Sequence, residues 1–315
     1  MLNRRALLSG LAASAAVATM PEALAATRGF FNRAGKPIGL QLYTLGDDVG
    51  KDLDRTLANV AAIGFRDLEL PQLFGRTPAE LKAAADRAGV NFSAIHLADM
   101  PNMPAEALSL KSPVQRIVDD LGALGVHDAV MPIMSIPASF KMGPGDTFQT
   151  AISRALAEAG PDHWKHTAER LNERAAALKP FGIRMGYHNH NVEFAPIGGT
   201  TGWDILVAET DPKLVWFEVD VGWIAAAGLD PAAFLGRHKG RVRWLHVKDL
   251  QASTQTNFAL RMDPTEVGSG KQDWPGILAA AQAAGVEHYY LEQEAPFAMP
   301  RIDAAAKGFA FLAKV

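Results

Sequence analysis

Eight times between residues 38 and 313, an apolar run of strand length is followed by an alanine- and leucine-rich stretch with helical spacing. The strand-like runs fall near 38–43, 66–70, 92–97, 128–133, 183–190, 215–221, 242–249 and 288–294. Helical patterns fall near 51–63, 78–88, 112–124, 164–179, 201–209, 231–237, 274–284 and 302–313. Gly64, Gly89, Gly125, Gly182 and Gly285 each stand between a helix and the next strand, while Pro78, Pro113, Pro231 and Pro275 mark helix starts. Eight β-then-α units predict an α/β chain closed into a parallel (βα)8 TIM barrel rather than an open sheet. Such a barrel takes about 250 residues, which residues 37–315 supply as a single domain.

The N-terminus has a different pattern. Asn3, Arg4 and Arg5 precede a short apolar run ending at Met20, followed by Ala23-Leu24-Ala25. A charged start, a short apolar centre and an A-x-A site are the marks of a cleaved export signal over residues 1–25, and the paired arginines favour the twin-arginine route to the periplasm. Residues 26–36 then read as a polar connector. No later stretch is apolar enough to span a bilayer, so stable membrane insertion is not expected. The formal net charge of −3, without basic runs, argues against nucleic acid as a partner. The chain has no cysteine, which excludes disulfides and thiolate chemistry.

Four residues with ligand chemistry lie near the carboxyl ends of the last four parallel strands: His188, Asp220, His246 and Glu292. Side chains alternate across a strand. The opposite parity is apolar (Phe217, Val219 and Val221; Leu245 and Val247; Tyr289 and Leu291), so the four are expected to point inward. A buried carboxylate such as Asp220 is costly unless compensated. Two imidazoles and two carboxylates suit one divalent ion, Mn²⁺, Zn²⁺, Fe²⁺, Co²⁺ or Ni²⁺, with Mg²⁺ less favoured by nitrogen donors.

Such an ion could chelate the carbonyl and hydroxyl of a sugar and hold an enediolate while a carboxylate moves the neighbouring proton. Glu292 and Glu294 share a strand face, which offers one as ligand and the other as base; Lys248 faces the same way as His246, and His188 joins the catalytic candidates. Gln41, Glu69, His96, His190, Glu193 and Trp223 are candidates for holding the hydroxyls or face of a sugar. Glu209 and Glu218 read as ordinary ion-pair partners, and His127, His163, His166, His238 and His288 as solvated groups in helices or bottom loops. Residues 134–163 and 250–273 form long connections after strands four and seven, where extra length favours a lid or substrate wall. The sequence has no P-loop, no G-x-S-x-G and no G-x-G-x-x-G.

GLQLYT, GFRDLELP, IHL, GYHNHNVEF, EVDVGW, WLHVKD, EVGSGKQDW and YYLEQE, in order across residues 37–313, resemble the sugar phosphate isomerase/epimerase family. That family lies in the xylose isomerase-like TIM barrel superfamily, with ketose 3-epimerases, inosose dehydratases and endonuclease IV. The resemblance implies metal ligands from strands five to eight, here His188, Asp220, His246 and Glu292. Ketose 3-epimerases carry a glutamate on strand five, where this chain has His188; inosose dehydratase-like members are similar in carrying histidines there. The leading expectation is a metal-dependent sugar isomerase or epimerase working through an enediolate on an unphosphorylated small sugar. The alternatives are a lyase or dehydratase acting on a keto-sugar, 3-keto-glycoside or cyclitol, and a non-catalytic sugar-binding barrel. The resemblance is also compatible with a homo-oligomer.

Overall fold

A computed structural model describes residues 29–101 and 103–315. The expected export signal and the start of the connector lie outside the described residues. The eight strands are β1 (Gly39–Gln41), β2 (Asp67–Leu70), β3 (Asn91–His96), β4 (Asp128–Met131), β5 (Arg184–His188), β6 (Val215–Asp220), β7 (Val242–Val247) and β8 (His288–Leu291). Each pairs in parallel with its neighbours, and β8 closes back onto β1. Around them run α1 (Leu53–Ile63), α2 (Pro78–Ala88), α3 (Val114–Leu124), α4 (Phe148–Leu178), α5 (Gly202–Glu209), α6 (Pro231–Arg237), α7 (Trp274–Ala284) and α8 (Arg301–Leu312). No helix among the described residues is long and apolar enough to cross a membrane.

Strand alternation sorts the interior. Phe217, Val219, Leu245, Val247, Tyr289 and Leu291 join the main hydrophobic core, as expected where helices cover a parallel sheet. Residues of the other parity fill the barrel in layers. At the amino-terminal end Arg184 forks onto Asp128 through two bonds of 2.6 Å and reaches Glu287 at 2.7 Å. Above it lies a plug of Ala94, Val130, Trp244 and Tyr290, with Trp244 Nε1 donating to Asp128 at 2.9 Å. β5 carries Gly186 here because a Cβ would stand 2.7 Å from a ring carbon of Trp244. The plug seals the floor, so polar groups placed higher on the same strands form a closed-bottomed bowl.

Three expectations need correction. Residues 134–163 are not a continuous loop: α4 begins at Phe148, capped by Thr147, and runs on past a break at Gly160. Ala151, Ile152, Ala155 and Leu156 bury one face of this first half; Gly160-Pro161 disguises the continuation. The segment read as a polar connector buries aromatic rings within its described part: residues 30–34 form a helix whose Phe30 and Phe31 rings each lie 5.6 Å from that of Tyr289. The loop after β7 is tied back to the end of that strand. Asp249 pins it by accepting from the backbone of Gly268 and Gly270 at 3.0 and 3.1 Å and from Trp274 Nε1 at 3.1 Å. Finally, three of the five histidines read as solvated are engaged. His288 pairs with Asp67 at 2.7 Å, His238 accepts from Trp203 Nε1 at 3.0 Å, and burial lowers the pKa of His163.

Candidate active site

The carboxyl ends of β6, β7 and β8 bring their side chains to one point because Asp220 is in register with His246, and His246 with Tyr290, two residues before Glu292. Asp220 ends β6 and caps the short helix Val221–Ala226, Oδ1 accepting from the backbone of Gly222 and Trp223 at 2.9 and 3.1 Å. That cap fixes the carboxylate and turns Oδ2 into the bowl, 3.8 Å from His246 Nδ1 and 4.0 Å from His188 Nε2. Glu292 Oε2 lies 2.7 Å from the same His246 Nδ1. Lys248, 1% exposed, brings Nζ to 2.8 Å from Asp220, 3.0 Å from Glu292 and 2.7 Å from Glu294. Its stem lies against Gly222, where a Cβ would come within 2.8 Å of Lys248 Cγ.

One layer lower, three imidazoles converge on Glu218. Its Oε2 lies 3.0 Å from His188 Nδ1, 3.1 Å from His96 Nε2 and 3.1 Å from His246 Nε2. Glu69 Oε2 receives Gln41 Nε2 at 2.8 Å and lies 2.7 Å from His246 Nε2. His188 and His246 therefore each turn one nitrogen toward a carboxylate below and the other up toward the mouth. Carboxylates in that place orient metal-binding imidazoles and raise their basicity. Glu218, read from sequence as an ordinary ion-pair partner, is 0% exposed and the hub of this layer. Its shared parity with Asp220 in WFEVD was the available signal.

The buried charges set one another. Burial would lower His96, but Glu69 and Glu218 outweigh it and hold it at about 9. Burial and the neighbouring His246 bring His188 down to about 4, so that ring is neutral. Burial raises Asp220 to about 6. Glu292 is held well below the ordinary carboxylate value despite burial, by Lys248 and His246. Lys248 stays protonated although burial opposes it, because Asp220, Glu292 and Glu294 surround it.

The donor set fits a divalent cation. Donor atoms of Asp220, His246 and Glu292 lie within 4.8 Å of one another, as do those of His96, His188, Glu218 and His246. Asp220 Oδ2 keeps no well-directed hydrogen-bond partner, even with Lys248 Nζ 2.8 Å away. Of the four expected ligands, three converge closely, and His188 stands at the edge through Nε2.

The remaining candidates divide. Gln41, Glu69 and His96 belong to the lower polar layer. His190 is at the mouth, its ring 5.0 Å from that of His188 and 5.2 Å from Trp223. Trp223 does not offer an open face: it is 3% exposed, covered by His190 and by the Lys248 ammonium 5.2 Å above its ring. Glu193 is also displaced from its expected role. It is 0% exposed, with its oxygens taken by Tyr187 Oη at 2.7 Å and the His190 backbone at 2.9 Å, so it shapes the loop after β5.

Comparison with known proteins agrees with this architecture. Residues 57–315 match the family described as xylose isomerase-like TIM barrel. An inosose dehydratase from Geobacillus kaustophilus is 23% identical over 211 residues, 66% of this chain and 64% of that protein. The chain thus spans just under two thirds of that relative's length. A sugar phosphate isomerase/epimerase from Parabacteroides distasonis superposes with a TM-score of 0.67 at 24% identity, covering 88% of this chain and 93% of that one. The IolI protein with a bound zinc atom superposes with a TM-score of 0.58 at 14% identity, covering 88% and 98% of the two chains. At these identities the two structures speak for the fold alone.

Proposed function

The chain belongs to the xylose isomerase-like TIM barrel family, and from that premise we propose that it is a divalent-metal-dependent lyase acting on a sugar-like ketone. The observation that carries this reading is the one-sided charge of the mouth. Asp220, Lys248, Glu292 and Glu294 gather on β6–β8, with Lys248 Nζ 2.7 Å from Glu294, while β5 supplies the neutral imidazole of His188. Proton exchange between two opposed carboxylates, as an epimerase with a glutamate on strand five would use, has no second carboxylate here. Elimination needs only a base and an acid close together.

Asp220, His246 and Glu292 would hold the ion, which when bound polarises the substrate carbonyl. Glu294 takes the proton from the carbon beside the carbonyl, and the electron pair left on that carbon becomes the new C=C bond as the C–O bond at the next carbon breaks. The leaving oxygen takes a proton from the Lys248 ammonium and departs as water or an alcohol. Direct return of the proton from Glu294 to Lys248 across 2.7 Å then resets the pair. The names of inosose dehydratase relatives accord with this outcome. Isomerisation or epimerisation is the second reading, favoured by His188 and His190, whose neutral imidazoles offer a second proton acceptor on the β5 side of the mouth. In deuterated water, a lyase yields an unsaturated ketone absorbing in the ultraviolet, whereas an epimerase returns labelled sugar isomers with no such absorbance. The second result would replace the first reading.

A further inference from the structure

The mouth does not offer Trp223 for stacking, because His190 and Lys248 cover that ring. Among the described residues, Tyr43, Met142 and Phe181 are large apolar side chains that stand largely exposed. Phe181 precedes β5, at the far end of the barrel, and Met142 is not aromatic. Tyr43 follows β1 at the carboxyl end and is 53% exposed. An exposed aromatic is ordinary by itself. Two features set this one apart.

The first is that its backbone is held from two sides. Tyr43 lies in a 3₁₀ turn, Leu42–Leu45, and its N–H donates to Gln41 Oε1 at 3.1 Å. Gln41 Nε2 in turn donates to Glu69 in the lower polar layer at 2.8 Å. Thr44 Oγ1 accepts from the Gln293 N–H at 3.1 Å, and the Thr44 carbonyl accepts from Arg301 at 3.0 Å. The turn is thus tied to the layer below and to the chain between Glu292 and Glu294. A ring fixed in this way loses little freedom when a ligand covers it.

The second is its neighbourhood. The phenol lies close enough to Glu294, Glu292 and Lys248 for their charges to act on it. Burial first, then Glu294 and Glu292, raise its pKa, so the ring stays neutral. Tyr43 also lines a cleft of about 410 Å³ between the loops after β1 and β2, with Pro71, Phe74, Gln72, Asp47 and Lys51. It therefore borders both the acid–base groups and open space. A sugar whose polar edge meets Lys248 and Glu294 still carries C–H bonds that need an apolar partner. We propose that Tyr43 determines specificity, its ring receiving the C–H face of the substrate whose reacting edge lies at Glu294 and Lys248. This rests on the reading above and adds to it the residue that covers the sugar.

The test is binding, not turnover. Metal-loaded protein labelled with 3-fluorotyrosine carries four reporters, of which Tyr187, Tyr289 and Tyr290 are buried. The Tyr43 signal is assigned through Tyr43→Phe. Ketohexoses, ketopentoses and keto-cyclitols are titrated in turn, and at least one binds and moves the Tyr43 signal. By calorimetry Tyr43→Ala binds that compound about fivefold or more weakly, the effect of leaving roughly 40 Å² of apolar surface in water. Tyr43→Phe keeps the ring and binds as the parent does, and both variants keep the parent's metal dissociation constant. The proposal is overturned if no compound moves the Tyr43 signal, or if Tyr43→Ala binds as tightly as the parent. It is equally overturned if Tyr43→Phe loses as much as Tyr43→Ala, or if metal binding weakens in step with sugar binding. Ring contact without any elimination product keeps the role of Tyr43 and sinks the lyase reaction. Elimination with the Tyr43 signal unmoved does the reverse.

Discussion

The ammonium of Lys248 and the carboxylate of Glu294 meet at 2.7 Å on the rim of the barrel, an acid–base pair whose carboxylate is partly open. Glu294 is 28% exposed through its side chain, against 7% for Glu292, so it can reach a substrate while Glu292 remains with His246. Glu294→Gln is expected to lower turnover by about 10²–10⁴-fold, the usual worth of a positioned base. The affinity for the metal should be unchanged, because Glu294 is not among the converging donors. Steady-state kinetics beside metal titration decides it. An unaltered kcat assigns the proton to another group.

Metal dependence has its own test. Chelation followed by elemental analysis should give an inactive protein whose activity returns with one divalent ion per chain. Glu218→Gln should weaken metal affinity by about 10–100-fold, since Glu218 Oε2 orients both His188 and His246 from below. A structural role alone would lower the thermal midpoint and leave the dissociation constant in place. Equal metal affinity in the two proteins would show that the lower layer does not govern the ions above it.

Much of this was legible in the sequence, and the failures share a cause. The strand and helix pattern marks all eight β/α units, because alternation and glycine punctuation are local signals. Strands five, seven and eight were read as running to 190, 249 and 294, past His188, Val247 and Leu291. Mouth residues such as His190, Lys248 and Glu294 continue the strand-like spacing after pairing has ended. Inward parity found Asp220, His246 and Glu292, but it cannot tell depth. Glu218, one layer below Asp220, therefore looked like an ordinary ion-pair partner, and Trp223 looked able to stack on a sugar when Lys248 and His190 cover it. Glu193 was misplaced because the turn after β5 sends it behind the strand to Tyr187.

The amino-terminal end of the barrel should bear stability without bearing on catalysis, the usual division between the two faces of this architecture. Asp128 is 2% exposed and depends on Arg184, which is itself 32% exposed through its side chain. Removing one partner of a buried pair costs about 3–5 kcal/mol. Because Arg184 is partly solvated, Arg184→Met should lose less, about 2–3 kcal/mol in chemical denaturation. The kcat/KM of the folded variant should match the parent, since Trp244 and Tyr290 separate this layer from the mouth. A large loss of activity at full stability would mean that the plug transmits to the site.

Glu193 supplies a pH dependence whose sign follows from burial. Its carboxyl is fully buried, and desolvation raises it from 4.5 to about 7 against the bonds from Tyr187 and His190. A raised carboxyl pKa means that the folded chain holds this proton more tightly than the unfolded one. Its contribution to stability is therefore complete below about pH 4.5 and is lost as pH rises toward 7. A shift of this size corresponds to roughly 3 kcal/mol between the two ends of the window. Denaturant midpoints at pH 5 and pH 8 should show the parent losing stability that Glu193→Gln does not lose, although the variant starts lower by about 1 kcal/mol for an impaired hydrogen bond. Parallel pH profiles for the two proteins would mean that Glu193 is already ionised in the folded chain at pH 5, its charge carried by Tyr187 Oη and the His190 N–H.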